Sequence, residues 1–212
     1  MNVNEAIEYI HSVYWQGSTP GLHRVQALLE KMGNPEKNLK YVHIAGTNGK
    51  GSTASMTASI LQKAGYRTGL YTSPYIYRFH ERIQVDGQQI SDEDLVEITE
   101  MVKPLASSMN PSPTEFELVC CIAFEYFARK QCDVVVLEVG LGGAFDATNV
   151  IDTPKWRSSP TSAWITLTFW ATLWKKLPEP KPVSSRKAAT PWFTVVSPVW
   201  SEFLRKSVPK KM

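Results

Sequence analysis

The glycines of this chain stop well before its end. All 12 lie at or before Gly143, whereas six of the seven tryptophans lie after Pro154. A fold of connected helices and strands needs glycine where the backbone turns tightly or is approached closely. A chain of 212 residues could hold one good domain, but this distribution confines that domain to residues 1–154.

The charge changes at the same point. Residues 155–212 carry 11 Lys and Arg against only Glu179 and Glu202, a net charge of +9, while residues 1–154 carry 12 against 18 acidic residues, a net charge of −6. The overall charge of +3 averages two unlike regions. We therefore expect one partial domain over 1–154 and a tail over 155–212 that forms no domain.

Cysteine usage and hydropathy bound the environment. Cys120 and Cys121 lie in an apolar helical run and Cys132 follows it, which is typical of reduced core thiols in a cytoplasmic protein. The N-terminus is polar and acidic, unlike a signal peptide. The longest apolar run of the tail, 163–174, is too short to span a membrane. We expect no membrane or nucleic-acid partner, and a monomer.

The body alternates helical and extended patterns. Such alternation predicts a parallel α/β sheet with flanking helices. Residues 81–90 alternate and turn at Asp86-Gly87, as a hairpin does, and Ser91 begins a capping pattern. Helical spacing covers 3–14, 21–32, 52–64 and 115–130, and predicted strands cover 41–46, 67–72 and 133–139.

The first strand leads into a glycine-rich loop. Thr47, Asn48, Gly49, Lys50, Gly51 and Ser52 join it to a helix of small residues. Glycines let backbone N–H groups point inward, the helix N-terminus adds partial positive charge, and Lys50 adds a full one. The strict pattern G-x-x-x-x-G-K-[ST] is not met, because a glycine separates Lys50 from Ser52. A phosphate-binding loop is favoured; a glycine-rich turn with a solvated lysine is the alternative.

Glu138 lies near the end of the apolar strand 133–139. A carboxylate there is poorly solvated unless it is paired or binds a metal. Ligand sites of parallel sheets gather at the carboxyl ends of strands. Ser52 and Glu138 are therefore candidate Mg²⁺ ligands, and the alternative is a glutamate at a strand tip that faces water.

Several stretches together resemble one family. They are GLHRVQALLEKMGNP (21–35), HIAGTNGKGST (43–53), YTSPYIYRFHERIQVDG (71–87), TEFE (114–117) and LEVGLGGAFDATNVID (137–152). In this order the first 154 residues resemble the folylpolyglutamate synthase and dihydrofolate synthase family of the Mur-ligase superfamily, whose central ATPase domain has a P-loop-type parallel sheet. The loop SP-x(5)-HERI distinguishes the folate enzymes from the cell-wall ligases.

The resemblance implies an ATP-dependent ligase that adds glutamate to dihydropteroate or folates through an acyl phosphate, in folate biosynthesis and one-carbon metabolism. It implies ATP bound by residues 47–52, Mg²⁺ held by Ser52, Ser73 and Glu138, and catalytic roles for Lys50 and Glu138. The implied substrate side comprises Leu22, His23, Arg24, Val25, Phe116, Glu117, Phe145 and Asp146. Ala144 departs from the family's usual Arg. Tyr75, Tyr77 and Phe79 could stack on a pterin or pack under a loop.

The resemblance stops at Pro154. The family's Asp-His pair and its Lys-Ala-Gly-Ile-Ile-Lys stretch are absent from the tail. If codons chosen for the tail are regrouped by one base, they read EVAVITNVGLDHFDILG and later NPVEEIAGTKAGIIKEG. The Asp-His pair then falls at Ile165 and Thr166, and the first Lys of the second motif coincides with Lys181. We infer a frame change near Pro154, with a disordered tail and a catalytically incomplete chain.

Two other functions remain open. One is a stand-alone P-loop nucleotide-binding module that needs no folate. The other is a basic interaction protein whose tryptophan-rich tail binds an anionic partner or membrane surface, although the tail lacks a sustained amphipathic period. Pterin binding separates the ligase from the first, and deletion of residues 155–212 separates it from the second.

Overall fold

The computed structural model describes residues 1–13, 21–46, 48–140, 145–151 and 157–158. Within these residues the predicted helices are present, most of them shorter at their ends by one to three residues. The α-helices are α1 (Val3–Ser12), α2 (His23–Lys31), α3 (Lys50–Lys63), α4 (Asp92–Ser107) and α5 (Glu115–Arg129). Short 3-10 helices cover Pro35–Asn38, Phe79–Arg82 and Ala147–Val150.

The helices begin in two different ways. Asn2, Ser91 and Thr114 each accept a backbone N–H at the start of α1, α4 and α5, which satisfies a donor that the helix leaves unpaired. Helix α3 instead follows Gly49, whose φ of 74° lies in the left-handed region, and it has no side-chain cap. Its first N–H groups therefore suit an anionic ligand.

The strands form one mixed sheet in the order β4-β3-β2-β5-β1-β6. Strands β1, β2, β5 and β6 run parallel, whereas the hairpin of β3 and β4 is antiparallel to β2. The predicted hairpin is thus an edge extension of the parallel sheet. The bounds are β1 (Tyr41–Ile44), β2 (Thr68–Tyr71), β3 (Ile83–Val85), β4 (Gln88–Gln89), β5 (Val134–Glu138) and β6 (Arg157–Ser158).

The register of the sheet positions the site. Ile44 at the end of β1 pairs with Glu138 at the end of β5, and Tyr71 at the end of β2 pairs with Leu137. Because parallel strands end at the same edge, the segments that follow β1, β2 and β5 meet there. The glycine-rich loop, the segment after Tyr71 and Gly140 share this edge.

The two faces of the sheet are covered unequally. Helices α1, α2, α4 and α5 enclose the larger buried cluster on one face, which includes Val135 and Leu137. Among the described elements, α3 alone packs on the smaller cluster of the other face, which includes Val42 and Val136. The outer side of α3 exposes Met56 and Ile60, which are 57% and 44% exposed.

The tail prediction lies almost wholly outside the described residues. Its described part is Arg157–Ser158, which pairs with His43 and Ile44 as strand β6. These two residues add a parallel strand beside β1 at the edge of the sheet. In the described part of the chain, no helix combines the length and apolar character that a membrane span requires.

Candidate nucleotide and substrate site

The glycine-rich loop lies between β1 and α3, as predicted. Asn48, Gly49 and Ser52 are exposed at the N-terminus of α3, and Lys50 is half-buried there. Thr47 lies outside the described residues. A helix N-terminus without a side-chain cap, next to a lysine and a serine, concentrates positive charge and donors at one point. The arrangement can bind a phosphate chain.

Glu138 lies directly beside this loop. Its side chain is 4% exposed, and Oε2 accepts the backbone N–H of Ser73 at 3.2 Å. Burial raises the pKa of Glu138, opposed by the N–H of Ser73, the charge of Lys50 and the N–H of Gly51. A buried carboxylate held by these neighbours gains from a divalent cation that would neutralise it.

Gly51 explains the departure from the strict loop pattern. A Cβ at this position would lie 3.3 Å from Oε2 of Glu138 and 3.6 Å from Oε1. That separation is tight for a carbon atom, so a side chain here would press on the carboxylate. The glycine between Lys50 and Ser52 therefore lets the first turn of α3 approach Glu138.

The three predicted metal ligands are Ser52, Ser73 and Glu138, and the structure brings them together only in part. Ser73 reaches Glu138 through its backbone, and Ser52 lies one residue after Gly51 on α3. No group of three His, Cys, Asp or Glu side chains suited to a metal occurs in the described part of the chain. Mg²⁺ commonly binds one or two carboxylates, phosphate oxygens and water. One carboxylate with two hydroxyls fits that donor set.

Asp146 and Phe116 meet above Gly140, just past β5. A Cβ on Gly140 would lie 2.5 Å from Cζ of Phe116 and 3.1 Å from Oδ2 of Asp146. Asp146 is 2% exposed, and its Oδ1 accepts the backbone N–H of Thr148 at 2.9 Å. Phe145, the neighbour of Asp146, is 61% exposed. An aromatic ring beside a carboxylate can hold a flat heterocycle that donates hydrogen bonds.

The remaining residues of the predicted substrate side are placed differently. Arg24 Nε and Nη2 donate to Oε2 and Oε1 of Glu117 at 2.9 and 2.7 Å, so these two side chains bind each other. Val25 is fully buried in the core, whereas Leu22 is half-buried and His23 is exposed. The structure therefore does not gather all eight residues around one surface.

One carboxylate organises the segment between β2 and β3. Glu81 accepts the backbone N–H groups of Ile76, Tyr77 and Arg78 at 2.8, 3.1 and 2.9 Å. These bonds lower the pKa of Glu81, with the N–H of Ile76 contributing most. Ile76 and Tyr77 project from this segment and are 79% and 88% exposed.

The sequence left open whether the aromatic residues of this segment stack on a pterin or pack under a loop, and the structure places them differently. Phe79 is 4% exposed in the core, and Tyr75 packs against it with a centroid separation of 6.1 Å. The guanidinium of Arg82 lies over both rings, 5.1 Å from Tyr75 and 5.5 Å from Phe79. Only Tyr77 is presented to solvent, so packing under the loop accounts for Phe79.

Sequence reasoning missed His43 and Thr148. His43 Nε2 and Thr148 Oγ1 are 2.8 Å apart and connect β1 to Asp146. It also missed Glu81, although a glutamate three to five residues after backbone donors is a local signal of the capping type. The pairing of His43 with Thr148 has no comparable local signal, because 105 residues separate them.

Comparison with known proteins identifies what this chain is similar to. No family model matches it. It is 45% identical over 153 residues to the dihydrofolate synthase/folylpolyglutamate synthase of Bacillus subtilis, covering 70% of this chain and 36% of that protein. It is 42% identical over 156 residues to the folylpolyglutamate synthase of Lacticaseibacillus casei, covering 71% and 36%.

Solved structures agree. The folylpolyglutamate synthase of Thermotoga maritima matches with a TM-score of 0.69 and 42% identity, covering 78% of this chain and 39% of that one. A folylpolyglutamate synthase complex with AMPPCP and folate matches with a TM-score of 0.68 and 42% identity, covering 71% and 38%. The chain thus spans little more than a third of these relatives and resembles their N-terminal part. The resemblance and fold class predicted from the motifs are confirmed.

Proposed function

We propose that residues 1–154 are the nucleotide- and pterin-binding part of an ATP-dependent ligase that adds glutamate to dihydropteroate or a folate. In this reaction a substrate carboxylate attacks the γ-phosphorus of ATP, giving an acyl phosphate and ADP. The glutamate amine then attacks the acyl carbon, an amide bond forms, and phosphate and a proton leave. The similarity to the folate ligases and the substrate classes of those relatives support this assignment.

The observation that carries the proposal is the contact of the phosphate loop with Glu138. The first turn of α3 approaches a buried carboxylate through Gly51, and Lys50 lies within electrostatic range of that carboxylate. Phosphates at the N-terminus of α3 would therefore lie beside both a lysine and a carboxylate. A generic glycine-rich turn with a solvated lysine does not account for a glutamate buried against it.

Each side chain has a role that follows from its place. Lys50 and the N–H groups of α3 would neutralise and orient the phosphates, which is most of what phosphoryl transfer needs from a protein. Glu138, Ser52 and Ser73 would hold Mg²⁺, which supplies charge neutralisation when bound. Asp146 and Phe116 would orient the pterin, and exposed Tyr77 and Phe145 would cover it.

We further propose that the 212-residue chain binds its ligands weakly and forms no amide bond by itself. The relatives have nearly two thirds of their length outside the match. The parts that would hold glutamate and close over ATP fall in that remainder, so the acceptor amine would not be positioned here. A frame change near codon 154 accounts for this. DNA sequencing from codon 150 to beyond codon 212 would then show a second open frame that continues past codon 212, and early stop codons in that frame would refute it.

The binding test compares two lysines of one helix. Lys50→Ala should abolish AMPPCP binding in the presence of Mg²⁺, because the lysine beside the phosphates is lost. Lys63→Ala, at the exposed C-terminal end of α3, is the matched control and should bind as wild type does. Calorimetric titration with AMPPCP and then with dihydropteroate measures both sites. Nucleotide binding without any pterin binding would favour the stand-alone nucleotide module instead.

A further inference from the structure

The segment 72–82 leaves the end of β2 and returns to the start of β3 as a closed loop. At its base the backbone N–H of Thr72 donates to the carbonyl of Arg82 at 3.0 Å, and the Thr72 hydroxyl donates to the carbonyl of Glu81 at 3.4 Å. These bonds fix the two ends of the loop relative to each other. They do not fix its outer part, which needs anchors of its own.

The carboxylate of Glu81 holds the outer part of the loop. Its Oε2 accepts the backbone N–H of Ile76 at 2.8 Å, and its Oε1 accepts those of Tyr77 and Arg78 at 3.1 and 2.9 Å. Hydrogen bonds to an ionised group are about twice as strong as those between neutral groups. Three consecutive N–H groups that converge on one carboxylate therefore fix the path of the backbone.

This path keeps two large apolar side chains in water. Ile76 and Tyr77 are 79% and 88% exposed, although each would gain free energy from burial. A loop without the bonds to Glu81 would be free to turn these side chains toward the protein. The residues that precede Ile76 in the loop would then move with it.

The loop begins beside the buried carboxylate of the nucleotide site. The backbone N–H of Ser73 donates to Oε2 of Glu138 at 3.2 Å, and Glu138 is 4% exposed. Two residues separate Ser73 from Ile76, so a change in the backbone at Ile76 reaches Ser73 directly. The position of this N–H, and of the hydroxyl on the same residue, therefore depends on the loop that Glu81 holds.

We propose that Glu81 is a positioning residue for divalent-cation binding: it fixes the loop 72–82 so that Ser73 presents its N–H to Glu138 and its hydroxyl to the cation. The inference rests on the proposed function, because it takes Mg²⁺ bound with the phosphates of ATP as the ligand. Glu81 itself touches neither the cation nor the nucleotide. It orders the loop before the cation binds, and pre-organisation of this kind appears as affinity.

The first measurement tests whether Glu81 orders the loop. Glu81→Gln keeps one oxygen and replaces the other with an amino group, which cannot accept an N–H, whereas Glu81→Ala removes both acceptors. Amide hydrogen exchange of Ile76, Tyr77 and Arg78 is followed by NMR in the 212-residue chain without ligand. Exchange should be faster in Glu81→Gln than in wild type and faster still in Glu81→Ala, by about tenfold or more, because bonds to a charged group are lost.

The second measurement tests whether the ordered loop serves the cation. AMPPCP is titrated with and without Mg²⁺, and the ratio of the two affinities gives the gain from Mg²⁺. This gain should fall about fivefold in Glu81→Ala and less in Glu81→Gln, as expected when one further residue must be ordered on binding. Affinity without Mg²⁺ should stay within about twofold of wild type, because Lys50 and the N-terminus of α3 would bind the phosphates directly.

A matched control removes a carboxylate of the same kind from another element. Glu5 is exposed on α1, and its Oε2 accepts the backbone N–H of Asn2 at 2.8 Å. Glu5→Ala should weaken the start of α1 and leave the gain from Mg²⁺ unchanged. Equal loss of that gain in Glu5→Ala and Glu81→Ala would overturn the inference. Unchanged amide exchange in Glu81→Ala, or an equal loss of AMPPCP affinity without Mg²⁺, would overturn it too.

The outcomes distinguish this inference from the function on which it rests. If Mg²⁺ gives the wild-type chain no gain in AMPPCP affinity, the proposed Mg²⁺ site fails and the inference fails with it. If the wild-type chain shows the gain and Glu81→Ala keeps it in full, the proposed site stands and the inference alone is refuted. A graded loss of the gain that follows the rise in amide exchange supports both.

Discussion

Two buried glutamates of this molecule have nearly the same exposure and opposite surroundings. Glu117, 6% exposed on α5, is bound through both oxygens by Arg24 of α2 and also accepts the N–H of Thr114 at 2.7 Å. Glu138, 4% exposed at the end of β5, is held by backbone N–H groups and the nearby charge of Lys50. The carboxylate of Glu117 is held by a bidentate ion pair, whereas that of Glu138 lies against the glycine-rich loop.

The difference separates the structural role of Glu117 from the binding role that we propose for Glu138. A carboxylate that has its full complement of charged partners gains nothing from a ligand, and removing its partner leaves a buried charge. A carboxylate whose pKa is raised by burial is destabilised until a cation or proton reaches it. Residue type and burial are alike in the two cases, so only the partners tell them apart.

The largest expected effect on stability is at the ion pair of Arg24 and Glu117. Arg24→Ala should lower the free energy of unfolding by about 3–5 kcal/mol, because Glu117 would be left buried and unpaired. Arg129→Ala on α5 is the control: Arg129 pairs with Glu97 and Glu125 near the surface, where such pairs contribute about 0–1 kcal/mol. Urea unfolding at neutral pH measures both. Equal losses would erase the distinction between the two glutamates.

The next largest effect is expected at Glu138, the carboxylate beside the glycine-rich loop. Glu138→Gln should leave the free energy of unfolding without ligand unchanged or higher, since it removes a buried charge. The same change should abolish the gain in AMPPCP affinity that Mg²⁺ gives the wild-type chain, a loss of about tenfold or ~1.4 kcal/mol. Titrations of wild type and Glu138→Gln with AMPPCP, with and without Mg²⁺, measure this loss. An unaltered response to Mg²⁺ would place the cation elsewhere.

Two buried tyrosines extend the comparison to neutral groups. The hydroxyl of Tyr41 donates to the carbonyl of Glu36, whereas the hydroxyl of Tyr71 has no hydrogen-bond partner among the described residues. Tyr41→Phe should cost about 1 kcal/mol of unfolding free energy. Tyr71→Phe should cost nothing or stabilise slightly. A loss in Tyr71→Phe as large as that in Tyr41→Phe would show that its hydroxyl is bonded in solution.

The smallest effect is in the pH dependence. Because burial raises the pKa of Glu138, the folded chain keeps this proton to higher pH than the unfolded chain. The stabilising contribution is complete below the unfolded pKa and is lost as pH rises through the folded pKa. Glu138→Gln should therefore gain stability relative to wild type across that window. Between pH 4 and pH 8, the free energy of unfolding of Glu138→Gln should exceed that of wild type by an amount that grows as the pH rises.

The features that sequence predicted are those with a local cause. The three central strands, the hairpin turn at Asp86-Gly87 and the loop from Gly49 to Ser52 each follow from periodicity or glycine placement over a few residues. Pairings such as Arg24 with Glu117 lie 93 residues apart and depend on how α2 meets α5. No local pattern encodes that meeting, so family resemblance placed both residues on the substrate side while the structure joins them to each other.

Gly51 also couples the glycine-rich loop to the end of β5. A Cβ at this position would lie 3.3 Å from Oε2 of Glu138, so a substitution here requires the carboxylate to shift by a few tenths of an ångström. Two segments that are distant in the chain therefore constrain each other through one contact. A search for remote relatives that couples a G-K-G-[ST] loop with a glutamate at the end of a later buried strand should be more selective than either pattern alone.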